Sequence, residues 1–307
     1  MGARHEGDLA MLSKVAHPHV GVVLVVGRAH LGEFGDQAAV ARAKGELIDN
    51  LDSGAIAILG KYDEFTPRMG EDRSDLTRIL FGESSDCKVR ASDVEMREGR
   101  AHFDLVTPAG RSAVSLRLIG AHQVANALAA AAIATALDIP LDTIAATLST
   151  AESTSKLRME LHDLGDFILI NDSYNANPES MAAALSTLVL FAQERGGSSW
   201  AFLGKMHELG ESEGRSHQEI GRLASQLGID HLVAVGTDLY EVEEMKTIDG
   251  ESMSYHHCSD QAEALELARH IEPGDSILVK ASRAEKLDVL AREIMAMCKE
   301  RIAEVEE

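Results

Sequence analysis

Asp172, Asn175 and Asn177 stand on one short stretch, Leu169-Ile-Asn-Asp-Ser-Tyr-Asn-Ala-Asn-Pro-Glu-Ser-Met181. A carboxylate, hydroxyls and amides crowded this closely are suited to binding a polar ligand. The apolar run Phe167–Ile170 predicts a buried strand that stops at Asn171-Asp172. Pro178 predicts a helix start where its missing N–H does no harm, with Asn177 as the N-cap. The polar groups are thereby placed at the carboxyl end of a strand, where open α/β sheets bind ligands. A polar strand-to-helix turn with a good cap would read the same way.

Other reactive types fall at similar places. Arg158, in Lys156-Leu-Arg-Met-Glu160, is suited to reaching a phosphate bidentately, or else to a surface ion pair with Glu160. Lys280-Ala-Ser-Arg283 follows an apolar strand and sets two cations, Lys280 and Arg283, at the same sheet edge as Asp172. Gly204-Lys-Met-His-Glu-Leu-Gly210 also follows a strand, so His207 and Glu208 are candidates to line a cleft. His30 falls at the carboxyl end of Val20–Val26 and Lys44 on the helix that follows. Their plain alternatives are a loop histidine and a solvated lysine. His256-His257-Cys258 looks like a metal-binding fragment, but adjacent strand residues point to opposite faces, which argues against joint ligation. Polar groups at several strand ends converge on one crevice.

The elements that position them read in two parts. Val20–Val26 is apolar without alternation, the pattern of a strand covered on both faces. It leads into the glycine-rich segment Gly27–Gly35, an alanine-rich helix over Ala38–Leu51 and a short strand at Ile56–Leu59. Alternation with Gly99 and Pro108-Ala-Gly110 turns between Arg73 and Leu118 predicts a small antiparallel insertion. Helices follow at Ala127–Leu137 and Asp142–Leu148, and the non-periodic Ser149–Ser155 marks a boundary between domains at 1–150 and 151–307. Beyond it strands are expected at Phe167–Ile170, Trp200–Leu203, His231–Val235, Ser252–His256 and Ser276–Val279. Helices are expected at Glu179–Glu194, Arg215–Leu227, Leu239–Met245, Gln261–His270 and Ala284–Ala303, which makes a doubly wound α/β sheet.

A net charge of −21 argues against nucleic acid or an anionic membrane surface as partner. The three cysteines are isolated, so neither a disulfide frame nor a thiolate metal site is expected. No apolar run reaches transmembrane length and no signal segment opens the sequence, which places the protein in the cytoplasm.

Five motifs occur together and in order: Gly27-Arg-Ala-His-Leu-Gly-Glu-Phe-Gly35, Ala43-Lys-Gly-Glu46, Arg158-Met-Glu160, Asp172-Ser-Tyr-Asn-Ala-Asn-Pro178 and Val279-Lys-Ala-Ser-Arg283. They resemble the Mur ligases along the whole chain, in particular those members that join D-alanyl-D-alanine to UDP-N-acetylmuramoyl-tripeptide in peptidoglycan synthesis. The resemblance implies an α/β chain made of a partial central ATPase domain with a β-rich insertion and a complete Rossmann-like C-terminal domain. It implies ATP-dependent amide ligation through an acyl phosphate, with ATP and Mg2+ as cofactors and a monomeric enzyme. By the family pattern His30 helps hold magnesium, and Lys44 is the lysine that members carbamylate into an anionic oxygen ligand for the metal. His122, Gln123 and Asn126 match the adenine-contacting stretch, Arg158 the arginine reaching the ATP phosphates, and Asp172 with Asn175 the nucleotide contact. Asn177, Lys280 and Arg283 match substrate-facing positions.

The departures from that pattern carry their own expectations. No glycine-rich loop ending in Lys-Thr occurs, and Met1-Gly2-Ala3-Arg4 resembles the segment just after the acidic residue that binds magnesium in relatives. The uridine-binding N-terminal domain is missing. Val25 replaces an Asn, Gly60-Lys61-Tyr62 stands where relatives favour Asn-x-Asp, and Lys205 replaces an acidic residue. The chain is therefore expected to be about the C-terminal two-thirds of a ligase and inactive alone. The other reading is a non-catalytic remnant or weak nucleotide-binding scaffold.

Overall fold

The computed structural model describes residues 1–3, 5–27, 36–153, 155–240 and 253–306. The chain divides into two compact units, Met1–Glu152 and Ser153–Glu307.

The first unit is built on a six-stranded sheet in simple sequential order. Strands β1 (Val20–Val23), β2 (Ile56–Gly60) and β3 (Thr77–Gly82) run parallel. β4 (Val89–Arg97) adds to β3 in parallel, and β5 (Arg100–Thr107) and β6 (Gly110–Ile119) continue antiparallel. The antiparallel segment expected from the alternation is thus an extension of the parallel sheet. Among the described residues it is accompanied by helices α1 (Asp8–Ala16), α2 (Gln37–Asp49), α3 (Gln123–Ala136) and α4 (Leu141–Thr150). Ala127, Leu128, Ala131 and Ala132 of α3 are buried against Ile58, Phe81, Val89 and Leu105. Small alanine side chains let that helix lie close to the strands it crosses.

β1 corrects an expectation. The apolar run Val20–Val26 reads as a strand covered on both faces, yet the strand ends at Val23 and lies at the sheet edge, where residues alternate between half-buried and buried. Leu24 and Val25 beyond it are partly exposed. At the same carboxyl end of the pair, Gly60 of β2 approaches this segment so closely that a Cβ there would lie 2.0 Å from the Leu24 carbonyl oxygen.

The second unit has its own six-stranded sheet, ordered β11-β10-β9-β12-β8-β7. β8 (Ile168–Asp172), β9 (Ser199–Leu203), β10 (His231–Val235), β11 (Ser254–Cys258) and β12 (Ser276–Lys280) are parallel. β8, β9 and β12 are buried at every position, as strands covered on both faces must be. Helices α5 (Pro178–Arg195), α6 (Glu213–Leu227), α7 (Gln261–Ala268) and α8 (Asp288–Glu306) alternate with them. Among the described residues the regular β/α reading holds except at β7 (Glu160–Asp163), an antiparallel edge strand. The expected helix over Leu239–Met245 and the beginning of the expected strand at Ser252 fall largely outside the described residues.

Candidate functional site

In the second unit β8 and β12 lie side by side with Lys280 directly opposite Asp172 at their carboxyl ends. Lys280 is 1% exposed. Its ammonium donates to Asp172 Oδ2 at 2.5 Å and to the Asn175 carbonyl at 2.8 Å. Burial pushes the ammonium's pKa down, the Asp172 carboxylate opposes that shift, and the Arg158 cation adds to it. The sequence suggests a cation lining a cleft; the structure instead turns this one inward, where it fixes a carboxylate and a turn.

The second carboxylate oxygen of Asp172 accepts from the Met159 amide at 3.0 Å. That bond draws the 157–159 turn against the strand end. Leu157 and Met159 both have left-handed backbone, at φ 60° and 46°, which non-glycine residues seldom adopt. The Leu157 amide donates to Glu160 Oε2 at 3.1 Å, and the Tyr174 amide donates to the Leu157 carbonyl at 3.0 Å. Between the two left-handed residues, Arg158 lays its guanidinium over the Tyr174 ring, 4.2 Å from the centroid. Glu160, the partner that sequence proximity offers Arg158, serves the backbone instead. Each Asp172 oxygen keeps acceptor capacity for a ligand hydroxyl.

Asn177 caps α5: its Oδ1 accepts from the Ser180 amide at 2.8 Å, while the Ser180 hydroxyl accepts from the Asn177 amide at 3.1 Å. Asn175 is exposed on the same turn. Arg283 bonds Asp288 at 2.5 Å in the first turn of α8. Asp172, Arg158, Asn175 and Lys280 therefore form one constellation, and Asn177 lies on the adjoining helix start.

The loop after β9 is fixed from beneath. The Met206 amide donates to His217 Nε2 at 2.9 Å, so the proton sits on Nδ1, which donates to the Glu213 carbonyl at 2.7 Å. The Tyr240 hydroxyl donates to the Gly204 carbonyl at 2.8 Å. His207 pairs with Glu285 at 2.5 Å, and Lys205 with Glu213 at 2.9 Å. His207 and Glu208, which the sequence offers as candidates to line a cleft, lie on this loop, and His217 on α6 is among the groups that hold its backbone.

In the first unit Lys44 lies on α2, and its Nζ donates to the Val25 carbonyl at 2.6 Å. The next residue, Val26, donates its amide to Asp63 Oδ2 at 2.8 Å, and its carbonyl accepts from Gln37 at 2.9 Å. Asp63 also takes the amides of Phe65 and Thr66, both at 2.7 Å. Asp63 was not singled out from sequence; the only signal was an acidic residue just after a predicted strand. Glu46, two residues after Lys44, accepts the Gly7 and Ala10 amides and so caps the start of α1. His122, Gln123 and Asn126 line the start of α3, where Gln123 bonds His122 at 3.1 Å and accepts from Asn126 at 3.0 Å. His30 lies outside the described residues.

Comparisons with known proteins point one way. Residues 1–134 match the Mur ligase middle domain and residues 157–283 the Mur ligase, glutamate ligase domain. The chain is similar to the UDP-N-acetylmuramoyl-tripeptide--D-alanyl-D-alanine ligase of Mycobacterium tuberculosis, at 37% identity over 96% of this chain and 62% of that protein. Against the ligase of the same name from Escherichia coli K12 the identity is 29%, over 95% of this chain and 63% of the relative. A crystal structure of MurF from Acinetobacter baumannii superposes with a TM-score of 0.85 at 34% identity, covering 96% of this chain and 64% of that one. The MurF ligase of Thermotoga maritima in complex with ADP shares the fold, with a TM-score of 0.83 at 24% identity over 98% of this chain and 67% of its own. The chain thus spans a little under two thirds of the length of the curated relatives it matches.

Proposed function

The chain belongs to the Mur ligase family, and on that premise we propose that it serves the ATP-dependent joining of D-alanyl-D-alanine to UDP-N-acetylmuramoyl-tripeptide. In this reaction the peptide carboxylate is activated as an acyl phosphate and the incoming amine displaces phosphate. Such chemistry depends on positioning and on cations near the transferring phosphoryl group. The observation that carries the reading is the Arg158–Asp172–Lys280 constellation at paired strand ends. It occurs in a chain 37% identical to a ligase of that name.

In this proposal Arg158 reaches the nucleotide phosphates. Asp172 and Asn175 meet the nucleotide, with His122, Gln123 and Asn126 near the base. Asn177 and Arg283 face the peptide substrate. Lys280 acts on it indirectly, by holding Asp172 and the Asn175 carbonyl. Magnesium, when bound, neutralises phosphoryl charge, and His30 and Lys44 are its proposed holders. An ammonium repels a cation, so Lys44 suits that task only as its carbamate. Membrane insertion is no part of the proposal: among the described residues no helix is long and apolar enough to cross a bilayer. A monomeric cytoplasmic enzyme is proposed.

The test uses the product of the whole reading frame that encodes these residues. Phosphate release should require ATP, the UDP-linked tripeptide and D-alanyl-D-alanine together, and Arg158→Ala should lower it roughly a hundredfold or more. Release that ignores D-alanyl-D-alanine, or an undiminished Arg158→Ala enzyme, would overturn the proposal.

A further inference from the structure

Arg158 is gripped by its face. Its guanidinium lies 4.2 Å above the Tyr174 ring, and among the described residues no carboxylate forms an ion pair with it. A guanidinium carries five N–H donors, all in its plane. A carboxylate partner in fork geometry would occupy two of them. An aromatic face engages the π surface instead and leaves the donor edge open. We infer that Tyr174 is a positioning residue that presents the donor edge of Arg158 to an oxyanion of the polyphosphate class. The inference rests on the proposed contact between Arg158 and the phosphates of ATP.

The backbone around the pair points the same way. Arg158 sits between Leu157 and Met159, whose left-handed conformations persist only where surroundings hold them. The Tyr174 amide bonds the Leu157 carbonyl, and the Met159 amide bonds Asp172, which Lys280 anchors from within the sheet. Tyr174 therefore grips the arginine turn twice, by its amide and by its ring. With the residue 45% exposed, the ring is not spent on core packing. A leucine at this position would keep the amide bond and lose the stack.

Binding of ATP and of adenosine, measured calorimetrically at fixed ionic strength, separates the possibilities. Tyr174→Leu should weaken ATP about fivefold and leave adenosine unchanged. Tyr174→Phe, which keeps a ring, should restore the parent affinity for ATP. In an Arg158→Ala background the Tyr174→Leu change should have no further effect on ATP, because nothing remains to be positioned. If Arg158→Ala weakens ATP and Tyr174→Leu does not, the inference fails while the functional reading stands. If Tyr174→Leu weakens ATP and adenosine equally, the ring contacts the base or merely supports the fold, and the positioning role is overturned. If Arg158→Ala leaves ATP binding untouched, the functional reading fails and the inference with it.

Discussion

Lys280 and Asp172, 108 residues apart in the chain, meet at 2.5 Å as directly opposed residues of β12 and β8. Lys280 is 1% exposed, so removing one partner strands a charge in a dry place. Lys280→Met is expected to destabilise the second unit by about 3–5 kcal/mol in urea unfolding, and Lys280→Met with Asp172→Leu by clearly less. Equal losses in the single and double variants would show that the pair is not coupled.

Lys44 is proposed to work as a modified side chain. Lys44→Ala should lower ligation by the whole reading-frame product roughly a hundred- to a thousandfold, with no rescue by bicarbonate. Carbon-13 bicarbonate should give a carbamate signal in the parent that is absent from the variant. Near-normal turnover by Lys44→Ala would reduce the residue to its visible bond with the Val25 carbonyl.

Burial pushes the pKa values of His217, His231 and His256 below the ordinary imidazole value, against the pull of Glu213 on the first and of Asp230 and Asp275 on the second. A depressed folded pKa means that the unfolded chain takes up more protons on acidification. The stability is therefore fully present above about pH 6.5 and is lost as pH falls through the folded values. The urea midpoint should drop between about pH 7.5 and pH 5.5, and His217→Gln should flatten the slope. A midpoint constant across that range would contradict the assignment.

Much of the second unit was legible because runs such as Ile277–Val279 and Leu232–Val235 are apolar without alternation, the pattern of strands buried on both faces. β7 escaped because Glu-Leu-His-Asp at an exposed edge carries no such signature. Alternation between Arg73 and Leu118 showed half-covered strands but not which edge they join, since that is fixed by pairing between β3 and β4. Within the site, residue types identified Asp172 and Arg158, yet their partners were not readable. A lysine is ordinarily exposed, so nothing in Lys280-Ala-Ser-Arg283 announced a buried ammonium. Sequence proximity favoured Glu160 for Arg158, whereas the turn geometry at Leu157 and Met159 sends the side chain to Tyr174.

Gly60 stands where the family resemblance led to an expected Asn, and the backbone explains why a side chain is excluded. A Cβ there would lie 2.0 Å from the Leu24 carbonyl oxygen. Gly60→Ala should destabilise the first unit by about 1–3 kcal/mol, and Gly60→Asn by at least as much. Unfolding curves that coincide with the parent would mean that the segment after β1 moves aside at no cost.

The 307 residues hold no glycine-rich loop ending in Lys-Thr. Assayed as this polypeptide alone, they are expected to release no phosphate that depends on both peptide substrates, because nothing else in the sequence offers the same cradle of amides. Phosphate release requiring both substrates would refute that expectation.

The order β11-β10-β9-β12-β8-β7 places the strand that arrives last in the chain between two that arrive much earlier. During synthesis β8 and β9 must wait, unjoined, until Ser276–Lys280 has left the ribosome. Until then each presents an open apolar edge that other chains can occupy. The same arrival delivers Lys280 to Asp172. Before that arrival Asp172 and the Asn175 carbonyl lack their buried ammonium, so closing the sheet and completing the site are one folding event.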